Sequence, residues 1–166
     1  MGRRLASEYP VARETLAEAD AALGSALTRL CFEGPDAELV RTEHAQPAIL
    51  AVSVAAWRAL TSEIELAPAW LAGHSLGEYS ALVVAGALAF ADALRLVRLR
   101  GRLMQSAVPA GVGAMAAIIG LPDERVAELC RAGAGDETVA PANWNGAGQV
   151  VVAGHRNAVR RVTEQA

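Results

Sequence analysis

Cysteine is scarce in this chain: only Cys31 and Cys130 occur among 166 residues, far apart and in no C-x-x-C spacing. With three scattered histidines they offer neither a disulfide framework nor a zinc site. Such usage fits a reducing cytoplasm. Charge of one sign is lacking too. The formal net charge is −3, and basic residues cluster only in "RLVRLRGR", so no general field draws polyanions and nucleic acid is not an expected partner. The start "MGRRLASEYP" has none of the apolar core of a signal peptide, and the longest apolar run, within residues 67–88, falls short of the roughly 20 residues that span a bilayer. Neither secretion nor a membrane span is expected. What the chain does have is 53% hydrophobic and 20% charged residues, the balance of a globular protein with material for a core.

Apolar residues recur at helical spacing from Pro10 to Leu30 with a break near Gly24, which predicts an amphipathic helix interrupted there. "FEGPDAELVRTEH" reads as a turn with a short helix, and "AQPAILAVSVAAWRALT" as a helix packed on several sides. After Pro68, "AWLAG" reads as a short strand buried on both faces, Gly77 to Leu88 as a helix, and "AFADALRLVRLRGRLMQSAV" as another. Alternating helix and buried strand predicts an α/β layer with a parallel sheet. Beyond "PAGVG" the order becomes β-α-β-β-α: "AMAAIIGL", "PDERVAELCRAG", "ETVAPANWN", "QVVVAGH" and "RNAVRRVTEQA". A ferredoxin-like split βαβ unit needs one more strand after that helix. The expected division is therefore a partial α/β core over residues 1–110 and a partial small subdomain over 111–166.

Gly73-His74-Ser75-Leu76-Gly77 fits G-x-S-x-G, a sharp strand-to-helix turn whose glycines allow close packing and a strained backbone at the serine. That turn lifts the hydroxyl to the edge where α/β sheets bind ligands, and the Leu76 amide can donate to an oxyanion. The bland alternative is a serine capping the following helix. His74 is poorly placed as a base, because neighbouring side chains on a sharp turn diverge; it is expected to orient the turn through a hydrogen bond. His44 and His155 sit at helix starts and read as capping or solvated residues. Arg95, Arg98, Arg100 and Arg102 each read as surface arginines, unless one points into the cleft as a fork for a substrate carboxylate. Spacing leaves that choice open.

"GHSLGEYSALVVAGAL", "RGRLMQSAVPAGVGAMAAIIGL" and "NWNGAGQVVVAGH" closely resemble the malonyl-CoA:acyl-carrier-protein transacylases of bacterial fatty acid synthesis, and more loosely the acyltransferase domains of polyketide synthases. The likeness extends through "EYPVARETLAEADAALG" and "QPAILAVSVAAW". It implies that Ser75 carries a malonyl group between coenzyme A and the phosphopantetheine thiol of acyl carrier protein, in a ping-pong mechanism. It also implies that Arg100 is the carboxylate-binding arginine and that the Leu76 amide is half of the oxyanion hole. Gln46, Asn143 and Asn145 match family positions near the cleft. Malonyl-CoA is then a substrate, and no bound cofactor or metal is expected.

Members of the family begin with a strand and a "GQGSQ"-like loop that supplies the other oxyanion donor, and their catalytic histidine lies beyond the small subdomain. Neither segment is in this sequence, which therefore reads as an internal fragment, expected to be poorly soluble or partly folded and nearly inactive. Loss of a general base removes a factor of roughly 10²–10⁴ in rate. Two rival readings are an α/β-hydrolase esterase, which shares the serine elbow but has no use for an arginine facing the acyl group, and a remnant that only docks an acidic carrier protein on basic surface from "RLRGR" and "HRNAVRR".

Overall fold

The computed structural model describes residues 1–109 and 111–166; residue 110, where the sequence places the boundary between its two parts, lies outside the described residues. The chain divides into two compact units, Met1–Ser106 and Ala107–Ala166.

The first unit is built of helices: α1 (Arg3–Glu8), α2 (Pro10–Leu23), α3 (Leu27–Glu33), α4 (Asp36–Leu39), α5 (Thr42–Glu63), α6 (Gly77–Val84) and α7 (Phe90–Ala107). Pro10 opens α2 at its first turn, where a missing N–H leaves no bond unmade. Gly24 closes it in the left-handed conformation at φ 59°. Leu16, Leu50, Val54, Leu94 and Val97 are fully buried in one core, and Ala12, Ala19, Ala48, Ala51, Ala55 and Ala93 lie among them with no exposure. Those alanines let the α2, α5 and α7 backbones approach closely. The chain after Val84 turns at Gly86, φ 71°, and the Ala87 and Leu88 amides return to the Leu82 carbonyl. This glycine ends α6 before the expected Leu88.

Residues 69–73 are not a strand, contrary to the sequence reading, and Trp70 is 91% exposed. An apolar run becomes a strand only where its N–H and C=O groups find a neighbouring ladder, and among the described residues of this unit no other strand offers one. The expected parallel sheet is correspondingly absent from the described elements; the one sheet described is antiparallel.

The second unit runs β1 (Gly113–Ile119), α8 (Asp123–Ala134), β2 (Val139–Trp144), β3 (Gln149–His155) and α9 (Arg156–Gln165), the β-α-β-β-α order expected. Its strands lie in the order β1-β3-β2, so α8 carries the chain across the slot that β3 fills. Ile118 pairs with Val150, and Ala116 with Val152. This face packs Ile118, Val150 and Val152 on Val126, Leu129 and Cys130 of α8 and on Ala158, Val159 and Val162 of α9. The opposite face carries Met115, Ala117 and Ile119 of β1, all exposed, beside Val151 and Ala153 of β3.

Candidate active site

Ser75 sits at the turn between residues 69–73 and α6 with φ 54°, one of two non-glycine residues of the described chain with positive φ. A β-carbon makes this left-handed conformation unfavourable by roughly 1–2 kcal/mol, and such strain gathers at functional sites. The turn is held by the Gly77 amide, which donates to the His74 carbonyl at 2.9 Å, and by the Glu78 amide, which donates to the Ser75 carbonyl at 3.3 Å. Gly73 must be glycine: a β-carbon there would stand 2.0 Å from the Gly77 carbonyl carbon. Gly77 is different, since a β-carbon built on it meets nothing within 4 Å. The close-packing argument thus applies to the first glycine of the motif and not to the second within these residues.

The Leu76 amide stands ahead of α6 and donates none of the backbone hydrogen bonds of the described turns and caps. Among the described residues it is free, at the positive end of a helix, beside an exposed serine hydroxyl. Arg100, on α7, reaches the same hydroxyl: its Nη2 donates to Ser75 Oγ at 2.8 Å. Its Nη1 donates to Gln46 Oε1 at 2.6 Å. Gln46, on α5, is buried at 6% exposure, and its Nε2 donates to Thr42 Oγ1 at 2.6 Å and to Met104 Sδ at 3.4 Å. One arm of the fork is therefore held by protein and the other is offered at the Ser75 hydroxyl. A guanidinium only donates, so Ser75 Oγ is the acceptor in this bond and keeps its own proton.

Gly101 makes this arrangement sterically possible. A β-carbon there would lie 2.5 Å from the Thr42 carbonyl oxygen and 2.6 Å from Glu43 Cα. Its absence lets α7 press on the first turn of α5, which brings Arg100 to Gln46. Sequence reading passed over both Thr42 and Gly101. A glycine inside a helical pattern was the available signal for the second; Thr42, four residues before Gln46, shares its helix face.

The structure brings Ser75, Leu76, Arg100 and Gln46 together. It answers the choice among the four arginines differently for each: Arg95 pairs with Asp92, Arg98 donates to the Leu23 carbonyl and Ser25 Oγ, and Arg102 pairs with Glu43. His74 is exposed, and among the described hydrogen bonds the turn uses its carbonyl, not its ring. The hydrogen bond that His74 contributes to the turn is thus one accepted by its carbonyl. His44 Nδ1 is buried without a partner and lies 3.9 Å from Glu38 Oε2. His155 precedes α9 and its Nδ1 accepts from the Thr138 amide at 3.0 Å, tying two segments of the second unit. Asn143 and Asn145 also belong to the second unit. Asn143 pairs with Val151 beside a register shift in β2, on the open face of the sheet. Asn145 closes the β2–β3 hairpin, its amide and side chain bonding Gln149 at 2.9 and 2.8 Å. Both its backbone and its side chain thus take part in the hairpin turn.

Residues 1–166 match the family described as acyl transferase domain. The malonyl CoA-acyl carrier protein transacylase of Escherichia coli K12 is 55% identical over 157 residues, 95% of this chain and 51% of that protein. The Bacillus subtilis strain 168 protein of the same name is 44% identical over 100% of this chain and 52% of its own length. Among solved structures, the Coxiella burnetii malonyl CoA-acyl carrier protein transacylase superposes with a TM-score of 0.92 at 43% identity, over 97% of this chain and 51% of that one. A structure of a type II PKS acyl-carrier protein in complex with its malonyl-transacylase also gives 0.92, at 50% identity over 99% of this chain and 53% of the other. This chain spans about half the length of the relatives it matches. With every residue inside the match and the serine turn, free amide and arginine assembled in one place, the chain belongs to the acyl transferase domain family.

Proposed function

We propose that this chain is part of an enzyme that transfers a malonyl group from malonyl-CoA to the phosphopantetheine thiol of acyl carrier protein, through an ester on Ser75. The observation that carries this reading is the 2.8 Å bond from Arg100 to Ser75 Oγ, with the other arm of the fork held by buried Gln46. A carboxylate on the acyl group replaces Ser75 as acceptor and fixes the thioester carbonyl over the hydroxyl. An acetyl group leaves the cation without that partner.

Ser75 Oγ attacks the thioester carbonyl while a base takes its proton. The negative charge that develops on the carbonyl oxygen meets the Leu76 amide, and such a donor is worth about 10²–10³ in rate. The C–S bond then breaks and coenzyme A leaves as the thiol. Attack by the carrier's thiol reverses the sequence and restores Ser75. Ser75 Oγ bonds Arg100 and no histidine among the described residues, so this reading places the base in the part of the relatives that the chain does not span.

The reading carries a fold with it. Residues 69–73 supply a strand to a parallel sheet completed by other chain, which gives the exposed Trp70 and Leu71 an apolar setting. The second unit is a ferredoxin-like subdomain over 111–166, supported by the β1-β3-β2 order and by the unpaired outer edge of β1, where a fourth strand would add. A cytoplasmic location follows, in keeping with two free, buried thiols. Among the described residues no helix is long and apolar enough to cross a membrane.

Intact mass and peptide mapping after exposure to malonyl-CoA, prolonged about 10²–10⁴-fold over a normal turnover to offset the absent base, test the proposal. A persistent malonyl adduct on the Ser75 peptide, absent in Ser75→Ala, is expected. Release of free malonate without an adduct would favour the esterase reading, and an adduct surviving Ser75→Ala would refute the assignment.

A further inference from the structure

We propose that Thr42 is a positioning residue: through the side-chain amide of Gln46 it sets the direction of the Arg100 fork, and with it the preference for an acyl group bearing a carboxylate. The second half of this statement rests on the reading of Arg100 as the carboxylate anchor.

The argument begins with the donors and acceptors. A guanidinium offers only N–H groups, so Gln46 serves it only with Oε1 turned toward α7. Turned over, the amide would set its NH₂ against the guanidinium, donor against donor. Gln46 itself is symmetric enough in shape to occupy either orientation, and at 6% exposure it has little access to water that could absorb the mismatch. Something must choose. The choice is made by Thr42 Oγ1, which accepts from Gln46 Nε2 at 2.6 Å, with Met104 Sδ as a weaker acceptor at 3.4 Å.

Thr42 is fit for this because its own position is fixed. It is the first residue of α5, and its carbonyl lies where only the missing β-carbon of Gly101 leaves room, 2.5 Å from that point. The hydroxyl, the amide, the fork and the nucleophile thus form one chain of bonds of 2.6, 2.6 and 2.8 Å. Without its first link the amide is free to turn, and the fork loses the contact that holds one arm back and aims the other at the acyl site.

Thr42→Val removes the acceptor and keeps the shape; Thr42→Ser keeps the acceptor. Two measurements on the full chain read the consequence, with the circular dichroism melt confirming that each variant folds. The first needs no ligand: solvent exchange of the Gln46 side-chain NH₂ and of the Arg100 guanidinium protons, by nuclear magnetic resonance. Exchange is expected to rise about 2- to 10-fold in Thr42→Val, the loss of one neutral hydrogen bond, and to stay at the wild-type rate in Thr42→Ser. The second is the ratio of affinities for malonyl-CoA and acetyl-CoA by calorimetry, expected to fall by a similar factor in Thr42→Val through weaker malonyl-CoA binding alone, and to survive in Thr42→Ser. Unchanged exchange and an unchanged ratio in Thr42→Val overturn the proposal. A wild-type chain with no preference for malonyl-CoA overturns the anchor reading instead, and the exchange rates then decide the Thr42 link by themselves.

Discussion

At the residue scale, the serine turn is under tight steric constraint. A β-carbon at Gly73 has no room beside the backbone of Gly77 and Glu78, and neither neighbour is the movable tip of a side chain. Gly73→Ala is therefore expected to lower stability by about 1–3 kcal/mol, read from urea unfolding, and to relax the Ser75 backbone that the turn holds at positive φ. Gly77→Ala, with open space around it, is the comparison and should cost markedly less. The two thiols give a pH effect of known sign. Burial pushes both Cys31 and Cys130 up from the ordinary thiol value, so the folded state keeps its protons after the unfolded state has lost them. Their contribution to stability is whole below the ordinary thiol range and is lost as pH rises through it toward the raised folded values. The chain has no lysine, which leaves few other groups to titrate there. Unfolding midpoints should fall through that window, and fall less in Cys31→Ala.

Helices α5 and α7 carry the site between them, and at the scale of elements their approach depends on Gly101. Gly101→Ala would drive a methyl group into the Thr42 carbonyl and Glu43 backbone. Separation of the helices should cost about 1–3 kcal/mol and break the Arg100–Gln46 bond, so that acyl-group preference drops along with the melting temperature; a variant that melts lower with its preference intact would contradict this coupling. This scale also shows what a sequence can reveal. The helices were legible because a 3.6-residue period is written within each segment, as in the Leu94 and Val97 face of α7, and because Pro10 and Gly24 mark ends locally. Residues 69–73 were not legible as they stand, since an apolar run specifies burial but its strand pairing depends on a distant partner. The elbow could be read from five adjacent residues. The bond from Arg100 to Ser75 spans 25 positions, and only the likeness to known transacylases singled out that arginine from its three neighbours.

At the scale of the whole molecule, a good deal of apolar surface faces water. Trp70 is 91% exposed, Ile119 70% and Met115 63%, the last two on the uncovered face of the sheet, four residues apart along β1. Exposed patches of this kind promote association. The isolated chain is expected to self-associate with rising concentration in sedimentation velocity, and Ile119→Thr with Met115→Thr to reduce it; a monomer at all concentrations would contradict this. The same molecule nevertheless holds a strained serine, a free amide and an aimed arginine together within its first unit. The central claim is that Arg100 selects, at Ser75, an acyl group that carries a carboxylate. Its most direct measurement is competitive single-turnover acylation by equimolar malonyl-CoA and acetyl-CoA, with the adducts on the Ser75 peptide counted by mass spectrometry in wild-type and Arg100→Gln chains. The account predicts malonyl over acetyl by about 10- to 150-fold in the wild type, the worth of a charge-assisted bond, and near parity in Arg100→Gln; equal labelling of the wild type, or a preference that survives the substitution, would contradict it.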